Sequence, residues 1–188
     1  MKENNSHQTA DNGLNINSIE EAQNAITSSG NTAKFTWRAE CEWMNGLHVH
    51  TTMKGFFGLN KEQTHKIPYS IHSDYPGCFA SEDNGATPAE IMLAALISCL
   101  SANVASVAQK RDIQLRAMTA YVEGDMNIYG VPGIKDDAKN SFEAIRVRFD
   151  IDSDASRIEI EDVVLQSRKH SVVFALIANP GNLSVIVE

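Results

Sequence analysis

Cysteine is scarce in this sequence. Its 188 residues include three cysteines, Cys41, Cys78 and Cys99, and no two of them form a Cys-x-x-Cys pair. An odd and widely spaced set excludes a disulfide scaffold and gives no structural zinc motif. A chain of this length can bury a sizeable core without disulfides. A cysteine that matters for function is therefore expected to act as a free thiol.

Positive charge and long apolar runs are also scarce. Lys and Arg number 16 against 24 Asp and Glu, which gives a formal net charge of −8. Nucleic acid is excluded as the main partner because phosphate binding needs clustered basic residues. The longest apolar stretch, residues 91–100, is interrupted by Ser98 and is too short to span a bilayer. Residues 1–15 lack the apolar segment of a signal peptide. These absences predict a soluble, cytoplasmic protein that binds no membrane.

The composition predicts a tail followed by one domain. Residues 1–15 are rich in Asn, Asp, Gln and Ser, and they cannot bury enough apolar surface to offset the entropy lost on ordering. Ser18 and Glu21 have the spacing of a capping box and start a short helix. We therefore expect a disordered tail and a short helix over 1–31, and a single domain over 32–188.

Turn signals and alternating apolar residues predict strands on both sides of a helical centre. Asn45-Gly46 is a strong hairpin signal. The expected strands cover residues 33–43, 47–57, 66–73, 113–128, 142–151 and 183–187, with a loop over 130–140. Ser156 and Glu159 predict a helix to about residue 169, and a short helix follows over 171–178. Runs of strands and helices in this order are typical of an α+β fold with antiparallel pairing.

The clearest element is a helix that begins at residue 88. Thr87 has the N-cap position, Pro88 the first helical position and Glu90 the third, which are the preferred residue types at each. From there to about residue 111 the chain is rich in Ala, Leu, Ile and Met. A helix that is apolar nearly all round is typical of the buried centre of a domain. It carries Cys99.

The segment 85–100 resembles the signature helix of the OsmC/Ohr family, which are thiol proteins linked to osmotic stress and organic hydroperoxide resistance. It has the loop, the helix start with Pro and Glu, the Ala-rich apolar turn and the cysteine of that signature. The resemblance extends over roughly residues 33–188. It implies an α+β, OsmC-like fold with an antiparallel sheet packed on a long central helix and a second helix. It also implies an intertwined homodimer with thiol sites at the subunit interface.

The resemblance implies a reactive thiol. In the peroxidase members the thiolate attacks a peroxide oxygen, and the sulfenic acid condenses with a second cysteine. Cys99 matches the reactive cysteine, and His170 stands where the second, resolving cysteine would be. The region 43–46 lacks the arginine of the hydroperoxide-resistance branch. Ala89 stands where that branch has a glutamate, and Glu90 matches another branch.

Each candidate residue also has a structural interpretation. Cys99 fits a small buried hydrophobe on an apolar helix. Glu90 is already part of the capping box and lies about 180° from Cys99 around a straight helix. His170 is either a base near Cys99 or an exposed loop histidine. His48 and His50 alternate on one strand face as two metal ligands would. Because the sequence shows no third ligand, no metal and no cofactor are predicted.

Three functions follow from these residues. The first is a thiol-dependent peroxidase that reduces organic or hydrogen peroxides through Cys99, with an external thiol as reductant. The second is a non-catalytic dimer of the same fold that binds a small apolar ligand at the interface pocket. The third is a thiol hydrolase or transferase that uses Cys99 with His170.

Overall fold

A computed structural model describes residues 10–28, 30–129, 140–179 and 181–187. These residues form two compact units, one of residues 15–91 and one that combines residues 10–14 with those from 92 onward. The predicted division into 1–31 and 32–188 stays a prediction. Residues 1–9 of the predicted tail, and residues 130–139 of the predicted loop, lie outside the described residues.

The 15–91 unit is a sheet built around one central strand. Its elements are helix α1 (Ile16–Ser28), a 3-10 turn (Gly30–Ala33) and strands β1 (Thr36–Trp37), β2 (Glu40–Asn45), β3 (His48–Gly58) and β4 (Lys61–Ser73). Both β1 and β2 pair antiparallel with one edge of β3, and β4 pairs antiparallel with the other. The predicted hairpin is confirmed, and Gly46 has a φ of 56° that glycine adopts without steric cost.

A buried carboxylate organises the loop between β4 and the next helix. Asp74 is fully buried. It accepts hydrogen bonds from the Ser81 hydroxyl, from the Tyr75 backbone N–H at 2.8 Å, and from the backbone N–H and side-chain amide of Asn84 at 3.0 and 2.9 Å. These donors, the Ser81 hydroxyl first, hold the pKa of Asp74 well below its ordinary value of 3.8. The charged carboxylate thereby holds Tyr75 and Asn84, at the two ends of this loop, together before the next helix begins.

The other unit, which combines residues 10–14 with those from 92 onward, has its core between helices and a two-stranded sheet. Helix α2 runs over Pro88–Lys110, as predicted, and is followed by β5 (Leu115–Met126), β6 (Phe142–Ser153), α3 (Arg157–His170) and α4 (Val172–Ala178). β5 and β6 pair antiparallel. The buried core consists of Val104, Val107, Ala108, Ile113 and Val163. The predicted α+β class with antiparallel strands is confirmed.

The predicted last strand over 183–187 is wrong for this chain. No strand forms in residues 181–187. Leu183, Val185, Ile186 and Val187 are 77–99% exposed. A strand needs a partner edge to satisfy its backbone groups. Among the described residues none pairs with this segment, so its apolar side chains alone do not make it a strand.

The length of α2 corrects the expectation that no segment can cross a bilayer. By length and composition alone, its 23 residues are long and apolar enough to do so. Ser98 and Ser101 interrupt the apolar run, which therefore ends at residue 100. No charged side chain, however, lies between Glu90 and Lys110. Core helices meet the same criterion, and the second half of α2 is buried against protein in the cluster around Val104.

Residues 10–12 are bound to the end of α2 and the start of β5, where the composition predicts disorder. The Asn12 backbone N–H donates to Gln109 Oε1 at 2.8 Å. The Asn12 side-chain amide donates to the Ile113 carbonyl at 2.8 Å, and its oxygen accepts from the Leu115 N–H at 2.8 Å. Specific pairing with exposed backbone groups can order a segment that lacks apolar side chains. Composition does not report such pairing.

We expect Asn12→Ala to lower the free energy of unfolding by about 1–3 kcal/mol, because it leaves the Ile113 carbonyl and the Leu115 N–H without this partner. Urea unfolding measures the change. Asn12→Asp keeps the acceptor oxygen and should lose less. The control Asn140→Ala alters an exposed side chain and should stay within about 0.5 kcal/mol. Equal stability of Asn12→Ala and wild type would contradict the prediction.

Candidate functional site

The sulfur of Cys99 receives two hydrogen bonds. Cys99 lies on α2 and is partly exposed. The Ser171 hydroxyl donates to its Sγ at 3.1 Å, and the Asn103 side-chain amide makes a longer contact of 3.7 Å. A hydroxyl and an amide N–H are thus both directed at one sulfur atom. The surroundings are therefore not those of a purely apolar buried thiol.

Ser171 is positioned by the junction of two helices. It follows the last residue of α3 and is the N-cap of α4, and only 2% of it is exposed. Its Oγ accepts the Phe174 backbone N–H at 3.1 Å, as an N-cap serine does. Because that bond uses an oxygen lone pair, the hydroxyl hydrogen is free to point at Cys99. The cap thus orients the donor as well as beginning α4.

Asn103 is positioned by the helix that carries the thiol. It lies four residues after Cys99, and side chains at that spacing are neighbours on one helix face. Its side-chain nitrogen donates to the Cys99 carbonyl oxygen at 2.8 Å. This bond holds the amide next to the sulfur. The two donors therefore come from different elements, one from α2 and one from the α3–α4 junction.

His170 is the last residue of α3 and is exposed. The N-cap of the short helix α4 is the next residue, Ser171. The ring lines a shallow groove together with Arg111, Gln166 and Lys169, and Cys99 is not among the residues lining that groove. The contact with the thiol is made by the neighbouring serine. The catalytic role of His170 stays a prediction.

Glu90 has the structural role that its position indicates. Its carboxylate accepts from the Thr87 backbone N–H at 2.9 Å and from the Thr87 hydroxyl at 2.7 Å. In return its own N–H donates to the Thr87 hydroxyl oxygen at 3.3 Å. The bonds from Thr87, the hydroxyl first, lower the pKa of Glu90 below its ordinary value of 4.5. These contacts are the predicted capping box; a catalytic role of Glu90 stays a prediction.

Sequence reasoning missed both donors to the sulfur. A signal for Asn103 existed, because any polar side chain four residues from a helical cysteine shares its face. For Ser171 the cap position was predictable from the sequence. Its contact with Cys99, 72 positions earlier, was not. Cys41 and Cys78, which the sequence predicts to be structural, are exposed free thiols in the 15–91 unit.

Comparison with protein families gives one match. The family described as OsmC-like protein matches residues 81–185, more than half of the chain. The chain belongs to the OsmC-like family. Comparison of this OsmC-like protein with curated proteins finds no match.

Solved structures share the fold. An OsmC-like protein from Mycoplasma pneumoniae superposes with a TM-score of 0.58 and 15% identity, over 77% of this chain and 89% of the other. An organic hydroperoxide resistance protein OsmC from Legionella pneumophila gives 0.54 and 14%, over 77% and 90%. One named as an organic hydroperoxide resistance protein from Elizabethkingia anophelis gives 0.50 and 15%, over 78% and 91%. At such identities the likeness concerns the fold.

The capping box of α2 gives a prediction for the OsmC-like protein. Thr87→Ala should cost about 1 kcal/mol of stability, because it removes the N-cap oxygen. Glu90→Gln should be slightly less stable than wild type at pH 7, since Gln can fill the same position but lacks the charge that the bonds from Thr87 stabilise. The pKa of Glu90 is lowered in the folded state, so its contribution is complete above pH 4.5 and is lost as the pH falls through the lower folded value.

Thermal unfolding of wild type and Glu90→Gln between pH 7 and pH 3 measures this effect. The two proteins should diverge least at the acid end, where Glu90 is protonated. A Glu90→Gln variant that unfolds far below wild type at pH 7 would contradict a purely capping role for this residue.

Proposed function

We propose that this OsmC-like protein is a thiol-dependent peroxidase that reduces organic or hydrogen peroxides through Cys99. The main support is the 3.1 Å hydrogen bond from the Ser171 hydroxyl to the Cys99 sulfur. The thiolate is the nucleophilic form of a cysteine, and donors to the sulfur stabilise it. Family membership supports the same reading, since two structures with this fold are named as hydroperoxide resistance proteins.

The first half of the reaction consumes the peroxide. The Cys99 thiolate attacks the terminal oxygen, a sulfur–oxygen bond forms and the oxygen–oxygen bond breaks. The electron pair leaves with the alkoxide, which takes a proton from water and becomes an alcohol. Cys99 is left as a sulfenic acid. Before attack, the donors from Ser171 and Asn103 stabilise the charge on sulfur and hold it in place.

The second half needs thiols from outside the chain. One external thiol attacks the sulfenic sulfur, water leaves and a mixed disulfide forms; a second thiol then releases Cys99 and carries away the disulfide. One organic hydroperoxide and two thiols thus give one alcohol, one water and one disulfide, and hydrogen peroxide gives a second water in place of the alcohol. A single-thiol cycle agrees with His170 at the position of the family's resolving cysteine. A reducing cytoplasm, where we place the protein, would supply such thiols.

A peroxide assay tests the proposal. Purified protein is mixed with cumene hydroperoxide and excess dithiol, and peroxide loss is followed. Cys99→Ser should lose turnover, and Cys41→Ser and Cys78→Ser are matched controls that should keep it. Ser171→Ala should slow turnover about tenfold to a hundredfold, because a hydrogen bond to a charged atom is worth about 1.5–3 kcal/mol.

Two outcomes would contradict the proposal that the protein is a peroxidase acting through Cys99. In the first, wild type consumes peroxide no faster than Cys99→Ser, which would favour the second candidate, a non-catalytic protein that binds a small apolar ligand. In the second, activity follows Cys41 or Cys78 rather than Cys99. If Ser171→Ala alone matched wild type, the peroxidase would stand but the role given to the serine would fail.

We also propose that two copies form a homodimer. Support comes from the C-terminal segment, where Val185 and Val187 are 87% and 99% exposed, and from Trp37 and Trp43, which are 67% and 71% exposed. Large apolar side chains exposed together are typical of protein interfaces. The C-terminal segment has strand-forming residues but no strand partner among the described residues of its own chain.

Light scattering after size-exclusion chromatography tests the dimer. Wild type should have twice the mass of one chain. The double variant Val185→Asp with Val187→Asp should shift toward one chain, because a charge is costly to bury at an apolar contact. Asn182→Asp adds a charge at an exposed polar position and is the matched control. A wild type that is monomeric at tens of micromolar would contradict the proposal.

A further inference from the structure

Three histidine rings meet on one face of the sheet in the 15–91 unit. His50 on β3 is directly opposite His72 on β4. His48 lies two residues before His50 and so points to the same face. The Nε2 atom of His48 is 2.9 Å from Nδ1 of His72. The His50 ring stacks on the His72 ring with centroids 4.5 Å apart.

The register of β3 and β4 brings a third histidine to the other two, which the sequence alone does not reveal. His48 and His50 alone are two imidazoles on one strand. His72 is 22 positions further along the chain than His50, and only the antiparallel pairing brings it opposite. We propose that His48, His50 and His72 bind a Zn²⁺ ion. Three protein nitrogens leave the fourth tetrahedral position for water, which is a common zinc arrangement.

The separations of the rings fit such an ion. Zinc–nitrogen bonds are about 2.0–2.1 Å, so two imidazoles bound to one tetrahedral ion have centroids roughly 5 Å apart. The centroids of His48 and His72 are 5.1 Å apart, and those of His50 and His72 are 4.5 Å apart. As the rings stand, the centroid of His72 is therefore at about the separation from each of the other two that a shared ion requires.

The proposed site requires a rotation of the rings. As the side chains stand, no group of three or more His, Cys, Asp or Glu within the described ranges is arranged to hold a metal ion. The reason lies in the rings: His48 and His72 share a nitrogen-to-nitrogen hydrogen bond, and the His50 ring lies within 18° of parallel to that of His72. None of the three is buried, so the proposal requires that rotation about their side-chain bonds direct three nitrogens at one ion.

The charges near the rings favour a cation. Glu42 on β2 is directly opposite His50, on the same face of the sheet. A carboxylate beside zinc-bound histidines orients the rings and offsets the charge of the ion. Imidazole nitrogen suits late first-row divalent ions, of which zinc is one. Cys41, the residue before Glu42 in β2, alternates to the other face and is not part of the set.

Zinc titration of the full chain tests the site. The protein is stripped with a chelator, its thiols are alkylated to exclude sulfur ligands, and ZnCl₂ is added in a calorimeter at pH 7.5. Wild type should bind one equivalent. His72→Gln and His50→Gln should each weaken binding at least tenfold. The control His65→Gln alters a β4 histidine whose ring contacts Phe56 and Tyr69 instead, and it should bind like wild type.

Thermal unfolding gives a second readout, because an ion that binds only the folded state raises the melting temperature. Zinc should raise it in wild type and His65→Gln but not in His72→Gln, with circular dichroism showing that each variant is folded. The proposal is overturned if alkylated wild type binds no zinc, if His72→Gln binds as tightly as wild type, or if His65→Gln weakens binding equally. None of these outcomes depends on peroxidase activity.

Discussion

The packing of α2 against α3 is the contact on which the surroundings of Cys99 depend. Val104 of α2 and Val163 of α3 are fully buried in one cluster. Burying a side chain of that size is worth about 1.5–3 kcal/mol, whereas a typical intramolecular hydrogen bond adds about 0.5–1.5 kcal/mol. The apolar contact is therefore the stronger term. It holds α3 beside α2, and Ser171, which follows the last residue of α3, contacts the sulfur.

The two candidate sites obtain their geometry in different ways. The groups around Cys99 are held by helix packing and by a cap, so each donor has a second bond that fixes its direction. The histidines are held by strand register, which fixes their Cα positions but not the directions of their rings. The first arrangement fixes the direction of two donors at the sulfur, and the second fixes only the strand positions of three imidazoles.

Local signals made much of the fold predictable. Thr87 with Glu90, Ser156 with Glu159, and Asn45-Gly46 each lie within four residues, and the structure shows a capping box, a second capping box and a hairpin turn at those places. At such short range the residue types alone decide the backbone conformation. The position of Cys99 on a long helix was predictable for the same reason.

Contacts between distant residues were not predictable. The contact of Ser171 with Cys99 depends on how α2 and α3 pack, and the pairing of His50 with His72 depends on one of several possible registers. The exposed segment 183–187 shows the converse, because strand-forming residues do not form a strand without a partner edge. Periodicity describes which face an element buries, but it does not say which element it meets.

The bonds made by residues 10–12 bear on the order in which the chain folds. Their partners lie 97 to 103 positions later in the sequence, and a ribosome synthesises the earlier segment first. During synthesis residues 10–12 therefore cannot form these bonds until the end of α2 and the start of β5 have been synthesised. Closing so long a loop is slow relative to forming a helix. Residues 10–12 should therefore bind to α2 and β5 late in folding, after the core around Val104 has formed.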